Sequence, residues 1–236
     1  MSARSVKSEI AYRSFGLRSD TLNTDTRTVR LRISSEAPVL RSYRDATTGE
    51  PFMAREILVH SGECLDLKRV NDGTAVLLEH DPKQRIGITE SGNIMPDASA
   101  EAVIRFAKTP LGDSAMGEVK DGTLRWVSIG YEVRSLVMDE CDPEEEDDCE
   151  DPTVRAVDWE ILETSLVGIP ADTSARVLRT GQETGRTITI KNMKRNLQLE
   201  AQPSGGGGAA APAAPNIVTK EDLSREVNEA REIFGT

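Results

Sequence analysis

The sequence lacks long apolar runs, and none approaches the roughly 18 residues that suggest a membrane-spanning helix. Its first residues also lack the apolar core of a secretory signal peptide, so we expect a protein that stays in the cytoplasm where it is made. Basic residues are outnumbered, because 29 Lys and Arg stand against 40 Asp and Glu, for a formal net charge of −11. This balance argues against nucleic-acid binding through phosphate neutralisation.

Cysteine and histidine are also scarce. The three cysteines, Cys64, Cys141 and Cys149, are an odd number and do not indicate a disulfide framework. Two of them lie in the acidic segment "DECDPEEEDDCED", which has neither an EF-hand pattern nor a nearby histidine for zinc, so we interpret it as a solvated loop. No metal or cofactor is expected. Histidine is the usual general base near neutral pH, and the chain offers only His60 and His80.

The remaining patterns predict a strand-rich α+β fold. Alternating or short apolar runs predict strands at "RTVRLRIS", "REILVH", "TAVLLEH", "RIGIT" and "VRAVDWEILETSLVGIP", with a turn at "DPKQ". A helix is expected in "DASAEAVIRFAKTPLGD", capped by Asp97 and ended by Pro110, and another in "ADTSARVLR", capped by Asp172. A hairpin is expected in "GEVKDGTLRWVSIGYEV", with its turn at Asp121-Gly122.

Composition divides the chain into four regions. We predict a loose N-terminal arm over residues 1–26, a folded domain over 27–180, a flexible Gly-, Ala- and Pro-rich linker over 181–218, and a short amphipathic helix over 219–236. The last region carries a coiled-coil-like seam made by Leu223, Val227, Ala230 and Phe234. Several short strands in a domain of this length favour an antiparallel barrel or sandwich with helices outside.

Candidate chemistry starts with "RWVSIGYEV", where Ser128 lies in the middle of a predicted strand of bulky residues. This serine either fills a tight position or acts as a nucleophile, and no G-x-S-x-G motif decides the question. His80 ends another strand, as a general base or as a cap of its own turn. In "DWEILETSLVGIP", Asp158 and Glu160 share one face and Glu163 lies on the other; a carboxylate here either orients an imidazole or faces water.

Four segments taken together carry a resemblance that extends over roughly residues 30–179. "REILVHSGECLDLKRVNDGTAVLLEHD", "RIGIT", "KDGTLRWVSIGYEV" and "DWEILETSLVGIPADTSARV" occur in the order found in the prohead (capsid maturation) serine proteases of tailed bacteriophages, which the chain resembles. The resemblance implies an antiparallel β-barrel wrapped by a few helices, like that of the herpesvirus maturation proteases. It also implies that His80 is the general base, that Ser128 is the nucleophile and that Glu163 orients the histidine. His60 stays an alternative third residue, because the viral relatives use a second histidine.

The resemblance further implies a serine endopeptidase that cleaves scaffold segments and itself during prohead maturation. Its partners would be the phage major capsid protein, the scaffold segment of that protein and other copies of itself, in the host cytoplasm inside the immature prohead. No nucleic acid or membrane is expected as a partner. The alternative is a non-catalytic scaffold or structural protein of capsid assembly that has the same fold.

Overall fold

The protein is described by a computed structural model that covers residues 4–17, 19–139, 152–170 and 183–192. Its strands are β1 (Arg4–Glu9), β2 (Ala11–Gly16), β3 (Thr28–Ser35), β4 (Val39–Arg44), β5 (Pro51–Leu58), β6 (Leu65–Asp66), β7 (Ala75–Leu78), β8 (Asp81–Met95), β9 (Ser99–Phe106), β10 (Trp126–Met138), β11 (Thr153–Val167) and β12 (Glu183–Asn192). The helices in these ranges are a 3₁₀ turn (Ser19–Thr21), α1 (Lys68–Asn71) and α2 (Pro110–Lys120). The fold is therefore strand-rich with few helices, as predicted.

All twelve strands belong to one curled sheet with the appearance of a half-barrel. Its main path runs β1-β12-β10-β11-β7-β8-β9-β3, with β2 added to β10, β6 and β5 added to β11, and β4 paired to β5. The long antiparallel pair β10–β11 forms the centre and extends from Trp126↔Val167 to Met138↔Val154. These two strands carry Ser128 and Glu163.

The sheet is mixed, so the prediction of a wholly antiparallel barrel is wrong. Strand β11 runs parallel to β5, β6 and β7, and β10 runs parallel to β12. Hydrophobic alternation identifies a strand and its buried face, but it carries no information about the direction of the neighbouring strand.

The predicted strand faces are confirmed where alternation is clear. In β3, Val29, Leu31 and Ile33 are buried, whereas Arg30 and Arg32 are exposed. The core contains the largest side chains of the central pair, with Tyr131 and Trp159 in an edge contact at 5.8 Å between ring centroids.

The helix predicted across "DASAEAVIRFAKTPLGD" is wrong. Ser99–Phe106 forms β9, which pairs with β3 on one side and β8 on the other. Pro110 does not end a helix but begins α2, where Thr109 is the N-cap and its hydroxyl accepts from the Gly112 amide at 3.2 Å. Proline is favoured at the first helical position because that residue has no helical partner for an N–H group.

The hairpin predicted at Asp121-Gly122 is also wrong. The residues before this pair form the last turn of α2, and the Gly122 amide bonds back to the Val119 carbonyl at 3.2 Å. Gly122 has a φ of 72°, the left-handed conformation in which helices commonly end. Strand β10 pairs with β11 and β2 instead.

Both ends of the predicted domain are extended by strands. Residues 4–16, expected as a loose arm, form β1 and β2, and β2 pairs with β10 along Trp126–Tyr131. The segment 183–192, expected as the start of the linker, forms β12 between β1 and β10. The acidic loop, the helix capped by Asp172, the rest of the linker and the helix at 219–236 lie outside the described residues.

Candidate functional site

His80 lies on a two-residue turn that joins β7 to β8. Leu78 pairs with Asp81, and both residues between them have positive φ, 54° at Glu79 and 61° at His80. Two-residue hairpins of this kind normally use Asn and Gly, because positive φ is strained for other residues. The turn was predicted at "DPKQ", but it lies just before that segment, because Asp81 already belongs to β8.

Hydrogen bonds hold this strained turn against the end of β11. The Glu79 amide donates to the Leu166 carbonyl at 3.0 Å, and the Gly168 amide donates to Glu79 Oε1 at 2.6 Å. These two bonds fix the backbone on the N-terminal side of His80. They offset the strain and aim the imidazole at the face shared by β10 and β11.

The other site residues form two rows that cross three adjacent strands. The register aligns Ser14 of β2, Ser128 of β10 and Ser165 of β11 in the first row. The second row contains Tyr12, Gly130 and Glu163. Because residues two apart on a strand share a face, both rows present their side chains to the same side of the sheet.

His80 connects these rows through both ring nitrogens. Its Nε2 lies 3.0 Å from the Ser128 Oγ, and its Nδ1 is hydrogen-bonded to the Glu163 Oε1. When Nδ1 carries the proton and donates to the carboxylate, Nε2 is free to accept from the Ser128 hydroxyl. Ser128 is fully buried, whereas the side chains of His80 and Glu163 keep 13% and 18% of their exposure.

Gly130 makes room for this arrangement. A Cβ at this position would lie 2.8 Å from the Glu163 Cγ, closer than real Cβ atoms come, and 3.1 Å from the Tyr12 Cε1, which is tighter than most real Cβ contacts. The Tyr12 ring also makes an edge contact with the His80 ring, at 4.6 Å between centroids. Tyr12 is a site residue that the sequence did not reveal, since its strand was expected to be a loose arm.

The structure does not bring the other candidates to Ser128. His60 is buried, its Nδ1 donates to the Leu58 carbonyl at 2.7 Å and its ring packs on Trp159. Glu160 pairs with Glu132 and Glu163 pairs with Gly130, two residues away on β10, so the register irregularity between them puts both glutamates on the same face, and the prediction of opposite faces is wrong. Asp158 and Glu160 form ion pairs with Arg134 at 3.4 and 2.7 Å.

A buried charged network lies behind the site. Glu56 forms ion pairs with Arg13 at 3.0 Å and with Arg41 at 2.8 Å, and its carboxylate accepts from the Tyr131 and Tyr43 hydroxyls. Burial alone raises the pKa of Glu56, but the two guanidinium charges and the hydroxyl hydrogen bonds outweigh this effect and lower the pKa to about 2. Glu56 is therefore held as a carboxylate.

This network fixes β2 beside the serine. Arg13 belongs to β2 and pairs with Ile129, the residue after Ser128. Arg41 donates to the Tyr12 carbonyl at 3.0 Å. The strand that carries Tyr12 against His80 is thus held by buried ion pairs as well as by its ladder hydrogen bonds.

The described residues contain no group of three or more His, Cys, Asp or Glu side chains arranged to hold a metal ion. In the same part of the chain no helix is long and apolar enough to cross a membrane. Cys64 is buried, and burial raises the pKa of its thiol.

Comparison with known proteins identifies a family and a relative to which the chain is similar. The profile of the Caudovirus prohead serine protease family matches residues 56–188, more than half of the 236-residue chain. A protein of Halomonas phage phiHAP-1 named major capsid protein is 29% identical over 168 residues, which are 70% of this chain. The match covers 25% of that relative, so the chain spans about a quarter of its length. No solved structure matches the chain significantly.

Proposed function

Because the chain belongs to the Caudovirus prohead serine protease family, we propose that it is a serine endopeptidase in which Ser128 is the nucleophile, His80 the general base and Glu163 the group that orients His80. The observation that carries the proposal is the continuous hydrogen-bonded chain from Ser128 Oγ through both nitrogens of His80 to Glu163. A nucleophile, a base and an orienting carboxylate in this order are the parts that acyl transfer requires.

The proposed reaction has two steps. His80 Nε2 takes the Ser128 proton as Oγ attacks a peptide carbonyl, and the imidazolium then protonates the leaving amine, which leaves an acyl-enzyme. Water, deprotonated by His80, releases the acyl group and regenerates the serine. The Glu163 carboxylate stabilises the imidazolium that forms in each step.

Substrate binding has to expose the nucleophile, because Ser128 is fully buried. A peptide carbonyl must come within bonding distance of Oγ, so the groups that cover this atom have to move or be displaced. Backbone amides are the expected donors to the oxyanion that forms.

We further propose that the substrates are scaffold segments of a phage capsid and the protease itself, cleaved inside the immature prohead in the host cytoplasm. The match to a relative named major capsid protein supports a capsid protein as the partner. We also propose that the curled sheet is a version of the barrel of the herpesvirus maturation proteases, with the nucleophile and base on its strands.

The relative's name also favours a second candidate, a structural protein of the capsid that has this fold but no activity. The two candidates differ in one respect that can be measured. In an enzyme Ser128 and His80 are needed for cleavage, whereas in a structural protein their substitution leaves the products unchanged.

The test is intact-mass spectrometry of the chain expressed with the phage major capsid protein and its scaffold segment. We expect truncation products with the unaltered protease and none with Ser128→Ala, His80→Ala or the double variant, because the two residues act as one unit. Glu163→Gln should retain part of the activity, since it alters the orientation of the base and not its presence.

Ser114→Ala is the matched control, because Ser114 is an exposed serine on α2 that bonds to Glu118. It should leave the products unchanged. Unchanged truncation in Ser128→Ala, with the fold intact by circular dichroism, would contradict the enzyme and support the structural protein.

A further inference from the structure

The carboxylate of Glu163 is held at both oxygens. Oε1 is bonded to His80 Nδ1, and Oε2 accepts a hydrogen bond from the Ser165 hydroxyl at 2.9 Å. Ser165 is fully buried and lies two residues after Glu163 on β11, on the same face. It also lies directly opposite Ser128 in the β10–β11 ladder.

We propose that Ser165 is a positioning residue that fixes the Glu163 carboxylate in the orientation His80 needs. The inference rests on the proposed function, because it assigns Ser165 a role in the same reaction. The proposal gives different roles to two buried serines, Ser128 and Ser165, that face each other across the central pair of strands. Ser128 is bonded to the imidazole, whereas Ser165 is bonded to the carboxylate behind it.

The need for such a residue follows from the flexibility of a glutamate. The terminal torsion of Glu is broad, so its carboxylate plane is not set by rotamer preference. If Oε2 had no donor in this largely buried place, the carboxylate would gain by turning towards another partner or towards water. The Ser165 hydroxyl supplies a donor to Oε2, so the carboxylate does not need to turn and Oε1 stays directed at Nδ1.

The backbone makes the bond a consequence of the fold. Gly130 faces Glu163, and the open space above it lets the Glu163 side chain lie flat across β10. Ser165 faces Ser128 in the adjacent row, where a small side chain leaves the nucleophile room. A hydroxyl at position 165 is therefore within hydrogen-bonding reach of the Glu163 carboxylate.

The test measures cleavage of the capsid substrate by Ser165→Ala, Glu163→Ala and the double variant. We expect Ser165→Ala alone to lower the rate about 10- to 100-fold, the range produced by small displacements of a reacting group. In the Glu163→Ala background the same substitution should have no further effect, because the carboxylate it positions is gone. A merely structural serine would give equal losses in both backgrounds.

Thr164→Val is the matched control. Thr164 is also buried, and its hydroxyl has no hydrogen-bond partner in the described part of the chain. It should keep the full rate. If Ser165→Ala does not fold, Ser165→Cys replaces it, since a thiol occupies a similar position but is a weak donor.

The outcomes separate this inference from the proposed function. A wild-type rate in the Ser165 variant that folds, with cleavage still abolished by Ser128→Ala, overturns the positioning role but not the proposed protease activity. Equal losses from Ser165→Ala with and without Glu163 also overturn it. Cleavage that survives Ser128→Ala overturns the proposed function itself.

Discussion

Gly130→Ala is the smallest change that should separate Glu163 from His80. The added Cβ would lie 2.8 Å from the Glu163 Cγ, 3.0 Å from its Oε1 and 3.1 Å from the Tyr12 Cε1. The first of these atoms has to retreat by about 0.6 Å, the difference between 2.8 Å and the 3.4 Å at which ordinary Cβ contacts begin. Because Tyr12 closes the other side, the Glu163 side chain cannot clear the methyl group by moving towards β2.

The magnitude follows from this displacement. Forcing an extra methyl group into a packed site costs about 1–3 kcal/mol, which lowers the melting temperature by about 2–4 °C per kcal/mol in a domain of this size. We expect the effect on the cleavage rate to be larger than the effect on stability. A displacement approaching 1 Å in a catalytic arrangement costs about 100-fold, so we expect a 10- to 100-fold slower cleavage.

The assay is the rate of product formation from the capsid substrate, with thermal unfolding measured on the same samples. Gly117→Ala is the matched control, because nothing lies within 4 Å of a Cβ at that helical position. It should keep the full rate and be stabilised slightly, since Ala is the better helix former by about 1 kcal/mol. A wild-type rate and melting temperature in Gly130→Ala would refute the described packing of Glu163 over Gly130.

Two further predictions concern stability. Ionised Glu56 contributes stability that is full above pH 4.5 and is lost as the pH falls towards about 2, so Glu56→Gln should be less stable at pH 7, by about 3–5 kcal/mol, and should vary less over that pH range. Urea unfolding from pH 7 to pH 3 measures both the stability and its pH dependence. An equal pH dependence in the unaltered protein and in Glu56→Gln would disprove the role given to ionised Glu56. Thr109→Ala removes the N-cap of α2 and should cost about 1 kcal/mol in the same experiment; no loss would argue that the helix does not begin at Pro110.

Local patterns were sufficient for strands that alternate strongly and failed where small residues weakened the alternation. The buried apolar residues of β9 are Ala100, Ala102, Ile104 and Phe106, and the two alanines left a pattern that also suited a helix. What decides the structure is the pairing of this segment with β3 and β8, which no local window contains.

The site shows the same limit. The residues alone left the roles of Ser128, His80 and Glu163 open, and the resemblance to a family selected them. The structure brings these three side chains together, and their catalytic roles stay predictions. Tyr12 was not predicted as a site residue, because its position depends on the pairing of β2 with β10. These strands are distant in sequence: Arg13 and Tyr131, which form a hydrogen bond between the two strands, are 118 positions apart.

The central claim is that His80 activates Ser128, and covalent labelling tests it most directly. The folded protein would be treated with a fluorophosphonate, which reacts with activated serines, and the modified peptide identified by mass spectrometry. We predict a single adduct on Ser128 that disappears in His80→Ala, because the hydroxyl loses the base that takes its proton. An adduct that forms equally fast without His80, or on another serine while Ser128 stays unmodified, would contradict the account.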